Sequence, residues 1–282
     1  MKYFYGAVGI LFLLIAILTF GYHKEQSLLS TILGVATFLF GLFMAFSISD
    51  RGQRIDQIRE QDSEERANLL LLAYHAESAD RRFHKELLRF VDRYLMATLD
   101  YKIQDYGETS KQYLELFRKT TSFRPKGSQQ SSAYSNMLSA INEIGVARKK
   151  TISLIVDKLS NLEWGVLVFL SAVITISLLS LNSGTFVSIA ITTILIVSLA
   201  AIFLLLYQLD SLKWKEETRI FEPYQKTFES LGLMRYYPDD IVGRNRTKLH
   251  KAKVYRLGMF SRPYPDFSKK RIVIVRPHAK KK

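Results

Sequence analysis

The 282-residue chain has no cysteine and only six prolines. The missing thiols exclude disulfides, thiolate catalysis and cysteine-ligated metal sites. The scarcity of proline leaves long stretches without a strong helix breaker. Charge is also missing, but only locally. Four blocks contain no Asp, Glu, Lys or Arg: Tyr3–Tyr22, Ser27–Ser49, Trp164–Leu181 and Phe186–Leu209. Each has the roughly 18 to 25 residues that a helix needs to cross about 30 Å of hydrocarbon. The blocks read as four transmembrane helices. Their lack of carboxylates argues against a proton relay or an ion-coupled pump. Lys2 precedes the first block as it would a signal peptide. The exit TFGYHKEQ has no small-x-small cleavage site, so the block reads as an anchor.

Basic residues are scarce in the two hairpin loops, roughly HKEQ and NSGT, where Lys24 stands alone. They are abundant elsewhere. Residues 51–161 hold 19 Lys+Arg and 15 Asp+Glu, and residues 210–282 hold 19 and 8. The positive-inside rule then places both termini and the middle segment in the cytoplasm, with the chain in the cell (inner) membrane.

The predicted fold class is an all-α integral membrane protein, four transmembrane helices with long cytoplasmic helical extensions. Residues 1–50 form a hairpin of spans 3–22 and 27–49. Residues 51–161 form a cytoplasmic helical region in which Ile55, Ile58, Leu87 and Val91 mark an apolar stripe. Pro, Gly and clustered Ser/Gln predict a loop near 121–132. With no breaker before Trp164, a nearly continuous helix is expected to enter the third span. Residues 162–210 form the second hairpin, with spans 164–181 and 186–209. Residues 211–232 read as a cytoplasmic helix pausing at Pro223 and stopping near Gly232. Residues 233–282 form a basic tail in which RIVIV, Arg271–Val275, is a short possible strand.

Catalytic signatures are absent. The five histidines fall in no i, i+4 pair, and there is no phosphate-binding glycine loop and no GxSxG elbow. No enzyme, cofactor or metal site is expected. The cluster Asp62, Glu64 and Glu65 reads as a solvated or helix-starting acidic group. The basic tail suits the anionic cytoplasmic lipid surface better than nucleic acid.

The second span has two distinct faces. With Val35 at zero and about 100° per residue, Leu39, Leu42, Phe43 and Phe46 share one broad bulky face. Phe40 points roughly the opposite way. Gly34 and Gly41 lie about 100–120° to one side, where small residues allow close helix packing. Asp50 and Arg51 mark the cytoplasmic exit. The bulky face suits lipid or neighbouring helices. In an oligomer it also suits a hydrophobic constriction that gates ions by dewetting. Periodicity does not choose between these.

ILGVATFLFGLFMAFSISDR is similar to the second-span region of bestrophins. RIDQIREQDSEERANLLLLAYHAE, Arg54–Glu77, resembles the bestrophin-like family of prokaryotic membrane proteins, with Glu65, Ala67 and Asn68 at a Glu-Ala-Asn-like step. INEIGVARKKTISL and the short link between spans three and four fit as well. The similarity covers about Leu28–Gly232. It implies a four-span protomer in a homopentamer that conducts inorganic ions, with the second helix lining the axis. By distance from Arg51 it implies a neck of Val35, Leu39 and Phe43, with Leu42 and Phe46 as secondary pore-face residues. Gly52 and Gln53 stand where bestrophins have Trp-Trp. No acidic calcium clasp is recognisable, so calcium gating is not carried over. The expected function is an oligomeric ion channel with a hydrophobic neck. The alternative is a non-conducting scaffold or sensor that binds a cytoplasmic partner or anionic lipid.

Overall fold

The computed structural model describes residues 26–213, 221–239 and 254–276. The first apolar block, Tyr3–Tyr22, and its loop with Lys24 lie outside the described residues. The chain divides into two compact units. One comprises Met1–Ile55 and Lys158–Lys213, and the other Asp56–Asp157 and Trp214–Lys282.

A single helix, α1 (Gln26–Ala79), starts in the first unit and ends in the second. It contains no proline, and the apolar face of its first half gives way to mixed charge after Asp50 without a break. It stops where Asp80 caps the next helix, α2 (Arg81–Asp100), by accepting the Phe83 N–H at 2.7 Å.

The first unit is completed by α5 (Asn161–Ser180) and α6 (Phe186–Asp210). Three helical stretches among the described residues are long and apolar enough to cross a membrane. They lie in Ser27–Ala79, Ser128–Ser180 and Phe186–Asp210. Ala36, Phe40 and Met44 of α1 pack with Leu167, Leu170 and Ile174 of α5 and Leu206 of α6.

The second unit contains the rest of α1, then α2, a 3-10 turn (Ile103–Thr109), α3 (Ser110–Thr121), α4 (Ser128–Val156) and α7 (Glu222–Ser230). Its core joins Leu69, Leu72, Leu87, Leu116, Met137 and Phe228, all fully buried. Pro223 sits in the first turn of α7, where its missing N–H costs nothing. Gly232, at φ +69°, ends the helix in the left-handed conformation that glycine tolerates best.

Three expectations are corrected. The chain is not entirely helical. Strands β1 (Tyr236–Pro238), β2 (Tyr255–Met259) and β3 (Arg271–Val275) form a sheet in that order, β1 parallel to β2 and β2 antiparallel to β3. RIVIV is therefore a strand as expected, and it lies at one side of a three-stranded sheet, paired with β2. Second, no continuous helix enters the third span. The chain breaks between Val156 and Asn161, because Ser160 accepts the Glu163 N–H while Glu163 accepts the Ser160 N–H. This S-x-x-E capping box starts a fresh helix. Third, the loop near 121–132 shrinks to 122–127, since α4 already begins at Ser128 after Gly127 at φ +99°.

Candidate functional site

Helical phasing of α1 places its residues as the sequence suggests. Phe40 is 5% exposed and its ring lies 5.8 Å from that of Phe203 on α6. The bulky residues on the other side are uncovered: Val35 is 56% exposed, Phe43 46% and Phe46 65%, and Leu42 is exposed as well. Leu39 is half-buried and leans on the core of its unit. The five residues thus form a strip that is open at Val35 and Phe46 and turns inward at Leu39. At Gly34 and Gly41, an added Cβ would meet nothing within 4 Å among the described residues. The strip carries no polar side chain, so it can exclude water and ions but cannot bind them.

Polar residues gather just below this strip. Arg51 and Arg54 are both buried, and both reach Asp210 at the end of α6. Arg54 donates to the Asp210 carbonyl at 2.9 Å, and the Asp210 carboxylate accepts the Leu159 N–H at 2.8 Å. Arg51 also pairs with the exposed Asp50. The exit pair read from the sequence is therefore half of a latch. It ties α1 to the end of α6 and to the break before α5. Buried cations need such partners, because an unpaired charge out of water is costly.

A second polar centre lies inside the other unit. Glu65 of α1 is buried and accepts hydrogen bonds from the hydroxyls of Tyr94 on α2 and Tyr106 in the 3-10 turn. Arg148 of α4 donates to Tyr94 Oη at 2.5 Å, to Thr109 Oγ1 at 2.8 Å and to Ser110 Oγ at 3.3 Å. Its guanidinium lies 4.9–5.2 Å from the ring centres of Tyr94, Tyr106 and Tyr113. Burial pushes the Glu65 carboxyl up to about 7, although Arg148 and the two tyrosine hydroxyls pull the other way. Burial, and then the Glu65 charge, hold both tyrosine hydroxyls well above their ordinary range. Four elements of the unit thus converge on one carboxylate. Glu65 is buried, and its hydrogen bonds tie α1 to α2 and to the 3-10 turn.

This corrects the reading of Asp62, Glu64 and Glu65 as a solvated acidic group for Glu65 and Asp62, while Glu64 is exposed as expected. The cluster lies in mid-helix, not at a helix start. Asp62 pairs with Arg66 and accepts from the Tyr224 hydroxyl of α7. No group of three metal-ligating side chains occurs among the described residues. The signal for Glu65 was present in sequence only as its place in the apolar stripe, between Ile58 and Leu69.

Long apolar helices with a bulky uncharged face, continued by an amphipathic helical unit, define an integral membrane protein of the helical type. A family model for the bestrophin-like domain matches residues 2–212, and the chain belongs to the bestrophin-like family. The match takes in the first apolar block and ends just after α6. No curated protein and no solved structure matches the chain.

Proposed function

We propose that several copies of this chain, five by analogy with the bestrophin family, surround a common axis and form a passive ion channel in the cell membrane. The observation that carries the reading is the uncovered strip on α1. Its opposite face is packed against α5 and α6, while Val35, Phe43 and Phe46 are left open. Membership of the bestrophin-like family supports the same reading. Val35, Leu39 and Phe43 form the neck, with Leu42 and Phe46 beside it. A ring of such side chains offers no hydrogen bonds, so water leaves the constriction easily and an ion must pay its hydration free energy to enter. Gly34 and Gly41 give a neighbouring helix room for close approach. The basic balance of residues 51–161 and 210–282 supports a cytoplasmic polar unit and cytoplasmic termini.

Two measurements test this. Particle mass in detergent should correspond to a closed ring of copies. A monomer or dimer would remove the axis and favour a non-conducting scaffold. Ion flux into liposomes should rise with Phe43→Ala, which widens and softens the neck. Silence of both the parent chain and this variant would end the channel reading.

A further inference from the structure

The strand β3 lies at an edge of its sheet and, among the described residues, pairs only with β2. Edge strands usually hide their apolar side chains or break them with charge. This one does neither along its length. Ile272 is 46% exposed, Val273 41% and Ile274 55%, and these residues alternate between the two faces of the sheet. Met259 of β2 and Val254 just before that strand are exposed as well.

The ends of the strand are charged in one sense. From Val254 to Lys282 the sequence has nine Lys+Arg and one acidic residue, Asp266. Three of the nine are used internally. Arg256 pairs with Asp92, Arg262 with Asp266, and Lys270 with Asp100. Lys269, Arg271 and Arg276 are exposed and have no acidic partner among the described residues. Apolar side chains framed by free cations are the composition of an element that lies in the headgroup layer of an anionic membrane. A second β3 is a poor partner, because antiparallel pairing would bring these cations towards their own copies.

Within its unit the sheet is held by side-chain contacts to the end of α2 and the turn after it. Tyr236 of β1 and Lys270 reach Asp100 at the end of α2, and Tyr264 reaches Asp105 just beyond. Helix α2 runs back along α1 from the turn at Asp80, and its Tyr94 meets Glu65. Within its unit the sheet therefore packs at the end of α2 that lies away from Asp80.

We propose that β3, with Lys269, Arg271 and Arg276, docks on the anionic lipid surface of the membrane that the chain spans. This rests on the cytoplasmic placement of the polar unit and is independent of conduction. The unpaired edge of β3 keeps water and phosphate oxygens as partners in the headgroup layer, so the strand need not enter hydrocarbon.

The absence of cysteine makes the test clean. The full-length Ile272→Cys chain is labelled with an environment-sensitive fluorophore and reconstituted in neutral phosphatidylcholine vesicles, or in vesicles containing phosphatidylglycerol. Each preparation carries a fraction of lipid with a quencher near the headgroup. Quenching should be at least about twofold stronger with the anionic lipid, and should fall with salt. Replacing Lys269, Arg271 and Arg276 with Gln should abolish the difference, while a label at exposed Lys85 should show none. A label that stays in water in both vesicles overturns the proposal. So does a label equally shielded in detergent without lipid, which would mean that protein covers the strand. Ion flux in the same vesicles tests the channel reading separately.

Discussion

The two units bury side chains for different reasons. In the polar unit, Leu69, Leu72, Leu87 and Met137 are fully buried because water expels them. In the membrane unit both faces of α1 are apolar, and only shape and a few ions decide which one turns inward. Phe40 and Met44 are packed while Phe46, two residues past Met44, is open. Lipid tails are as apolar as phenylalanine, so burial there gains dispersion and little else. The polar unit also spreads its buried charge through a network of tyrosines around Glu65 and Arg148. The membrane unit confines its own to the latch of Arg51, Arg54 and Asp210. Buried polar groups thus mark the structural anchor points of both units. The bulky, unanchored strip is apolar surface of the membrane unit that stays exposed.

Removing one partner of the Glu65 centre should have the largest effect. Arg148→Met leaves the Glu65 carboxylate without its cation in a buried site, and should cost about 3–5 kcal/mol of stability. Thermal unfolding of the detergent-solubilised protein, followed by circular dichroism, measures it. The double variant Glu65→Leu, Arg148→Met should recover much of the loss, because no charge is then left unpaired. If the double variant is as unstable as the single one, the centre matters through packing and not through charge.

The same carboxylate predicts a pH dependence. In the unfolded chain it titrates near 4.5 and in the folded chain at about 7. Between these values the folded chain holds a proton that the unfolded chain has lost. The contribution to stability is full below about 4.5 and is lost as pH rises through about 7, up to a limit of ~3 kcal/mol. Tyr94, Tyr106, Tyr113, Arg148 and Asp62 face the group, and the phenols and guanidinium keep their protons throughout this window. Unfolding midpoints measured from pH 5 to 8 should therefore slope downward in the parent chain more than in Glu65→Gln. Parallel curves would show that Glu65 is ionised throughout.

Two glycines permit close approaches that the polar unit needs. A Cβ at Gly258 would collide with the Tyr236 hydroxyl that reaches Asp100, and one at Gly145 would collide with the hydroxyl of Tyr113. Gly258→Ala and Gly145→Ala should each cost about 1–3 kcal/mol by the same unfolding assay. At Gly34 or Gly41 an alanine meets no such atom. If Gly41→Ala disperses the particle in detergent while leaving the fold intact, that face is where copies pack.

Much of this contrast was legible in the sequence. The missing charges located the three long apolar helical stretches found among the described residues, and a 100° step separated Phe40 from Phe43 and Phe46 before any contact was known. The strand RIVIV was legible from its β-branched run. The Glu65 centre was not, because its partners lie 29, 41 and 83 residues away and no local pattern links a carboxylate to tyrosines at that range. The helix break at Ser160 was written in S-x-x-E, but Gly and Pro are the breakers that catch the eye. The sheet escaped because β1 is three residues long and has its partner some 20 residues on.

The smallest effect sharpens the comparison most. Phe40→Ala removes a ring that packs on Phe203 and leaves a void. Its lost transfer term is small because the unfolded reference also lies in lipid. A cost of about 1–2 kcal/mol is expected, below the roughly 3–5 kcal/mol of a Phe→Ala change in a water-excluded core. Phe46→Ala removes a ring that touches little within the chain, and should change the stability of a dispersed protomer by under ~0.5 kcal/mol. The two variants differ in what they should do to an assembly. If copies meet across the open strip, Phe46→Ala lowers the thermal stability of the assembled particle more than that of the dispersed protomer, and Phe40→Ala lowers both alike. Equal indifference of assembled and dispersed protein to Phe46→Ala would leave that ring facing lipid, and would narrow the contact between copies to Val35, Leu39 and Phe43.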